Sequence, residues 1–312
     1  MKAIVCTGYG PPEVLQLKQV KKPTPARNQV RIKIFATSVT ASDCLVRGLK
    51  FRFRGRFLVR LMFGFKAPRR PILGLVLAGE IDALGRNVSA FKVGDPVFGL
   101  TQRAFGTYAQ YVCWPANGIL AAQPANLTFE EAAALPYGGL LALYFIRKAE
   151  IKAGQNVLVY GASGAIGTAA VQILRHLGAH VTAVCSTANL KLVESLGAGA
   201  VIDYTSDDFT RRPERYDVIF DAVGRRKSAR ALADAPRALT PGGKVTSVDD
   251  SFPRPVLADL IVLKELAESG ALKPVIDRTY PLAEMVEAHR YVDGGHKKGN
   301  VVITLEHSMS ES

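Results

Sequence analysis

The sequence predicts an α/β chain whose middle folds as a parallel sheet flanked by helices and whose first third is β-rich. Three observations predict it. After Lys152-Ala-Gly154, apolar strand-like runs alternate with amphipathic helical runs. A glycine-rich turn, Gly161-Ala-Ser-Gly164-Ala-Ile-Gly167, joins the first of those strands to the first of those helices. Before Gln123-Pro124, short strand-like runs are separated by proline turns.

In the first third, Lys2 to Cys6, Val14 to Val20, Gln29 to Ala36, Val76 to Leu84, Asp95 to Phe98 and Thr107 to Val112 favour strands. A helix start is predicted at Thr128-Phe-Glu-Glu131, where Thr128 and Glu131 have the spacing of a capping box. A second helical run reaches Lys148. Strands follow at Asn156 to Tyr160, His180 to Val184 and Val201 to Asp203, with helices at Ile166 to Leu177 and Asn189 to Leu196 between them. Gly178 and Gly197, each followed by alanine, read as left-handed helix stops. Further strands are predicted at Asp217 to Asp221 and Lys244 to Val248, with a helix from Ser228 to Leu239 between them. The remainder reads as helices at Val256 to Ser269 and Leu282 to Val292, then a strand at Asn300 to Leu305.

The glycine turn has the context of a dinucleotide-binding loop. Gly161 allows the tight turn, Gly164 lets the backbone approach a pyrophosphate, and Gly167 lets helix and sheet pack closely. The N–H groups of the following helix would face the phosphates. Nucleotide choice is read after the second strand, where Val184-Cys-Ser186-Thr-Ala-Asn189-Leu-Lys191 carries hydroxyls, an amide and a lysine but no carboxylate. Those groups suit a 2′-phosphate better than an unphosphorylated ribose, so NADPH is the expected cofactor.

Composition excludes several classes. A chain of 312 residues with 48% hydrophobic content can bury a large core and suggests two domains. Four cysteines without a Cys-x-x-Cys pair suggest neither a disulfide framework nor a thiolate zinc lobe, so a reducing, cytoplasmic setting is expected. Met1 to Cys6 reads as a strand rather than a signal peptide, and no apolar run reaches the roughly 20 residues that span a bilayer. The net charge of +13 raises the question of polyanion binding, but no nucleic-acid motif is present and no nucleic-acid partner is expected. Leu49 to Arg70 concentrates basic residues among Phe, Leu and Met with no acid. It reads either as a peripheral membrane contact or, by preference, as an excursion that roofs a pocket while its arginines stay solvated.

Gly94-Asp-Pro-Val-Phe-Gly99, Gly106-Thr-Tyr-Ala-Gln-Tyr111, the glycine turn, Leu196-Gly-Ala, Val201-Ile-Asp-Tyr204, Pro241-Gly-Gly243 and Gly299-Asn-Val-Val-Ile303 run nearly end to end. On these, the chain resembles the zinc-independent quinone oxidoreductase branch of the medium-chain dehydrogenase/reductase superfamily. The resemblance implies a GroES-like β-rich catalytic domain formed by residues 1–123 and 258–312, enclosing a Rossmann domain, a doubly wound parallel sheet, at 124–257. It implies that Ser163, Gly164, Ala165 and Ile166 contact the pyrophosphate. Ser186, Asn189, Lys191 and Tyr204 would meet the adenosine phosphate end, and Val223, Gly224 and Asn300 the nicotinamide side. An exposed loop tyrosine is an equal reading of Tyr204.

Departures from the wider superfamily are informative. Zinc-dependent relatives carry a cysteine near Thr40 and a Gly-His-Glu triplet where this chain has Gly74-Leu-Val76, so no metal is expected; His176 and His180 are separated by the helix stop at Gly178. Asp249-Asp-Ser-Phe-Pro-Arg-Pro255 replaces a strand and loop common in relatives, which predicts a truncated sheet edge and a monomer or weak homodimer. Without a Lewis acid, the expected acceptors are quinones or α,β-unsaturated carbonyls, which delocalise the charge arriving with hydride. Thr40 and Tyr137 are the weak catalytic candidates, with Ser42 and the backbone at Asp43 as further donors and a structural role favoured for each. An NADPH-binding, redox-sensing protein without turnover is the alternative reading.

Overall fold

The computed structural model describes residues 1–50, 60–61, 63–101 and 104–307. Residues 51–59 and Met62, much of the basic stretch weighed as a membrane contact or roof, lie outside the described residues. The backbone separates into two compact units: Met1–Pro136 with Ile276–Ser312, and Tyr137–Val275. They divide later than the changes in sequence character at residues 123 and 257. The helix at Phe129–Ala134 packs on strands of the first unit, and that at Leu257–Glu268 is tied to the second by the Arg147–Asp259 ion pair.

In chain order the first unit contributes β1 (Lys2–Cys6), β2 (Leu15–Gln19), β3 (Gln29–Val39), α1 (Ala41–Arg47), β4 (Val76–Leu84), β5 (Pro96–Leu100), β6 (Tyr111–Pro115), β7 (Leu120–Ala122) and α2 (Phe129–Ala134). The second unit holds α3 (Pro136–Lys148, its first residue closing the first unit), β8 (Asn156–Tyr160), α4 (Ala165–His176), β9 (His180–Cys185), α5 (Leu190–Ser195), β10 (Ala200–Asp203), β11 (Tyr216–Asp221), α6 (Arg225–Ser228), β12 (Leu239–Ser247) and α7 (Leu257–Glu268). The chain then returns to the first unit as β13 (Ile276–Pro281), α8 (Met285–Asp293) and β14 (Asn300–Thr304).

β3 organises the first unit. Its alternation buries Val30, Ile32, Ile34 and Ala36 completely, the period-two pattern of a strand with one core face. It pairs antiparallel with β4, β6 and β14, and the sheet runs β13-β14-β3-β4-β5-β7. β14 thus brings the C-terminal segment into a sheet built by the N-terminal one. The capping box of α2 forms as expected, Thr128 Oγ1 accepting from Glu131 N and the Glu131 carboxylate from Thr128 N.

The second unit is a parallel sheet ordered β10-β9-β8-β11-β12. Val157, Leu158 and Val159 are fully buried, as a strand covered on both faces requires. Register aligns the strand ends: Tyr160 lies opposite Val184 and Asp221, Asp203 opposite Cys185, and Asp221 opposite Ser247. The order reverses direction between β8 and β11, and α/β sheets bind ligands beyond the strand ends at such a point. β12 closes the sheet among the described residues, and the chain passes through 249–256 into α7.

Two expected elements differ. The helix predicted from Ser228 to Leu239 is a four-residue helix at Arg225–Ser228 and a 3-10 turn at Ala235–Ala238. Pro236 lacks the N–H that a continuous helix needs, and its ring would crowd the carbonyl four residues back. The strand expected at Thr107 to Val112 starts instead at Tyr111; the residues before it meet β1 only through an isolated bridge, Ile4 N donating to Tyr108 O at 2.8 Å and Gln110 N to Lys2 O at 3.0 Å.

Candidate dinucleotide site

At the end of β8 the chain turns through Gly161, whose φ is +78°. The N–H groups of Gly161 and Ala162 both donate to Val184 O at 3.0 Å, fastening the turn to β9. The three fingerprint glycines are held to glycine for different reasons. A Cβ on Gly161 would lie 2.1 Å from Val223 Cγ2, and one on Gly167 would lie 2.2 Å from Gly161 O, so the protein's own packing requires both. Gly164 has ordinary extended dihedrals, φ −78° and ψ 175°, and a Cβ there would meet nothing nearer than Gly161 O at 3.6 Å. The chain itself does not need a glycine at 164, but a group approaching the backbone from outside does.

Gly164 is also the N-cap of α4. No side chain caps this end, and no acidic residue stands in the first turn. The positive end of a helix with unmatched N–H groups is a ready anion site, so the residues fit a pyrophosphate. Ser163, Gly164, Ala165 and Ile166 are all partly accessible there.

Beyond β9, Ser186 is partly accessible, Lys191 is exposed on the first turn of α5, and Asn189 is 8% exposed. The Asn189 amide donates to Ser163 Oγ at 3.2 Å and Ser186 Oγ at 3.1 Å, joining two expected contact groups. A carboxylate does stand nearby, from the next strand. Asp203 at the end of β10 accepts from the Thr187 hydroxyl at 2.5 Å and from the Thr205 N–H and hydroxyl at 2.9 and 2.7 Å. These bonds, Thr187's foremost, hold its carboxyl below the usual range. Tyr204 is 52% exposed, its ring centroid 6.4 Å from that of Tyr160.

At the end of β11, Asp221 is fully buried without a cationic partner among the described residues. Its Oδ1 accepts from Val223 N at 3.0 Å and Gly224 N at 3.1 Å, and its Oδ2 from the Ser228 and Ser247 hydroxyls, each at 2.7 Å. Four donors replace the water a buried carboxylate gives up. The carboxylate therefore sets the Val223-Gly224 turn, which lies against Gly161. Asp203 and Asp221 were not among the expected site residues; the Asp203-x-Thr205 spacing was the available signal for the first. Asn300 belongs to the other unit, buried at the start of β14.

In the first unit, Thr40 caps α1. Its hydroxyl donates to Asp43 Oδ2 at 2.6 Å while its oxygen accepts from Asp43 N at 3.2 Å. Asp43 also accepts from Thr40 N at 2.9 Å and Gly74 N at 3.2 Å, and complete burial pushes its carboxyl up to about 6. Thr40 is thereby engaged in fastening α1 to the Gly74 loop. Ser42 is partly accessible on α1, and Tyr137 is half-buried in the first turn of α3. Leu75 and Val76 are apolar and buried, His176 ends α4, and His180 opens β9. Among the described residues, no group of three or more His, Cys, Asp or Glu side chains is placed to hold a metal ion.

A parallel sheet with an open glycine loop at its switch point defines a Rossmann-type nucleotide-binding unit. Comparison with known families agrees. Residues 165–273 match the zinc-binding dehydrogenase model, 246–303 a second model of that description, and 26–124 the alcohol dehydrogenase GroES-like domain. The chain belongs to the medium-chain dehydrogenase/reductase superfamily. It is 33% identical to the 2-methylene-furan-3-one reductase of Solanum lycopersicum over 97% of this chain and 79% of that protein. It is 32% identical to the chloroplastic NADPH-dependent alkenal/one oxidoreductase of Arabidopsis thaliana, with the same coverage. The quinone oxidoreductase structure from Coxiella burnetii superposes with a TM-score of 0.82 at 27% identity, covering 98% of this chain and 99% of that one.

Proposed function

We propose that this protein is an NADPH-dependent oxidoreductase that reduces quinones or α,β-unsaturated carbonyls without a metal, the activity class named for its relatives. The observation that carries the reading is Gly164: the fold does not require it, yet it opens the backbone beside an uncapped helix end. Ser163, Gly164, Ala165 and Ile166 would hold the pyrophosphate, and Ser186, Asn189, Lys191 and Tyr204 the adenosine end. Val223 and Gly224 would serve the nicotinamide side. The bound nicotinamide supplies the hydride.

Ser186 and Lys191 favour a 2′-phosphate, and Asp203 tempers that preference by its charge. An enone takes hydride at its β-carbon and a proton at its α-carbon; a quinone takes hydride and a proton to become a hydroquinone. Both acceptors spread the incoming charge, so the chain's work is to orient, donate hydrogen bonds and exclude water. We assign no side chain as proton donor. The four unpaired cysteines suit a reducing compartment such as the cytoplasm, and among the described residues no helix is long and apolar enough to cross a membrane. Monomer or weak dimer is the expected state.

The test is NADPH oxidation against a panel of quinones and enones. Turnover with either class is the expected result. Tight NADPH binding with no turnover on any acceptor would replace this reading with that of a redox-sensing binding protein.

A further inference from the structure

Asn189 stands at the N-cap of α5, a position where asparagine ordinarily bonds the first-turn N–H groups, yet its side chain makes no capping bond. The side chain is turned inward, 8% exposed, and both amide protons are given to seryl oxygens. One of these, Ser163, is in the glycine loop, and the other, Ser186, follows β9. No acceptor for the Ser163 hydroxyl proton is found among the described hydrogen bonds, nor for that of Ser186. The Asn189 Oδ1 atom is itself buried without a partner.

A hydroxyl that accepts from an amide must donate in another direction, and a serine near a phosphate binds it only as a donor. Turned the other way, an oxygen at this position would draw both hydroxyl protons to itself and present lone pairs to the phosphates. We infer that Asn189 is a positioning residue that fixes the Ser163 and Ser186 hydroxyls as donors, to the pyrophosphate and to the 2′-phosphate of the nucleotide respectively. It acts through the two serines, and it couples the two phosphate subsites. The inference rests on the NADPH reading above and assigns the nucleotide discrimination of that site to an amide behind it.

The test is titration of NADPH and NADH into wild-type protein and into the Asn189→Asp, Asn189→Ala, Ser186→Ala and Asn189→Ala/Ser186→Ala variants, with thermal melting of each. In Asn189→Asp both hydroxyls turn toward the carboxylate. NADPH affinity should fall by about tenfold or more, the worth of one or two charge-assisted hydrogen bonds, and NADH affinity by less, since one of the two donors meets a group NADH lacks. The double variant should bind NADPH no worse than about twofold below the weaker single variant, because both changes remove the same donor. Equal losses for the two nucleotides, or additive losses in the double variant, overturn the inference. Melting of the unliganded variants close to the wild-type temperature shows that the fold is intact. If wild-type protein binds neither nucleotide, the cofactor reading itself fails, which is a different outcome from variants that match wild type.

Discussion

The Ser228 hydroxyl donates to Asp221 Oδ2 at 2.7 Å, tying the first residues after β11 to the end of that strand inside the core. Ser247 at the end of β12 donates to the same oxygen. Replacing Asp221 with Asn puts an NH2 group where one pair of donors points, leaving buried hydroxyls or backbone N–H groups unmatched. Urea unfolding should show a loss of about 2–4 kcal/mol, and nucleotide affinity should fall with it, because the Val223-Gly224 turn loses its anchor. Unchanged stability would mean the network carries little of the turn's order.

The glycine loop separates folding from binding. Gly164→Ala should change stability by less than about 1 kcal/mol, since its Cβ makes only an ordinary contact with Gly161 O at 3.6 Å, while nucleotide affinity falls at least about tenfold. Gly167→Ala, whose Cβ would lie 2.2 Å from a carbonyl oxygen, should lose about 2–4 kcal/mol of stability before any ligand is added. Melting curves with and without NADPH read both effects.

Asp43 and His289 give opposite pH dependences in the first unit. Burial holds the Asp43 carboxyl at about 6, so between pH ~4 and ~6 the folded chain keeps a proton that the unfolded chain has released. Stability falls as pH rises through that window, by up to about 3 kcal/mol. Burial, then the nearby Arg47 charge, lowers His289 to about 3, so the folded chain stays neutral there while the unfolded chain protonates below pH ~6.5. That contribution falls as pH falls. The two slopes oppose each other where they overlap, and Asp43→Asn should expose a stability rising from pH 4 to 6 that is flatter in wild type, measured by denaturant unfolding across pH. A parallel shift of both curves would contradict this.

Asp203→Asn removes a carboxylate held by Thr187 and Thr205 beside the expected 2′-phosphate groups. The ratio of NADPH to NADH affinity should rise by about two- to fivefold, an exposed charge being screened by water and salt. A ratio that stays constant would place the ribose end away from Asp203.

Much of the second unit was legible because its signals are local. Tyr160 ends an apolar run, Gly161 and Gly167 stand at fixed spacing, and Gly178 and Gly197 stop helices with φ of +80° and +94°. Pro236 was a local signal too, and it argued against the helix expected from Ser228 to Leu239. The residues that organise the site from behind were not legible. Asp221 meets Ser247 only because β12 pairs beside β11, and Asp203 meets Thr187 only through the pairing of β10 with β9. Thr40 reads in the sequence as a weak donor candidate with a structural role favoured, and the bond of its hydroxyl to Asp43 comes from the cap geometry of α1.

The unequal reasons for the three loop glycines bear on how such a chain could drift. A descendant that ceased to use a nucleotide would keep glycine at 161 and 167, because a larger residue would collide with the Val223 side chain at the first and with the backbone of Gly161 and Ala162 at the second. Only position 164 would be released from selection. Two-thirds of the fingerprint could therefore outlive the trait it advertises, and the middle glycine is the one whose retention in a lineage testifies to a working pocket.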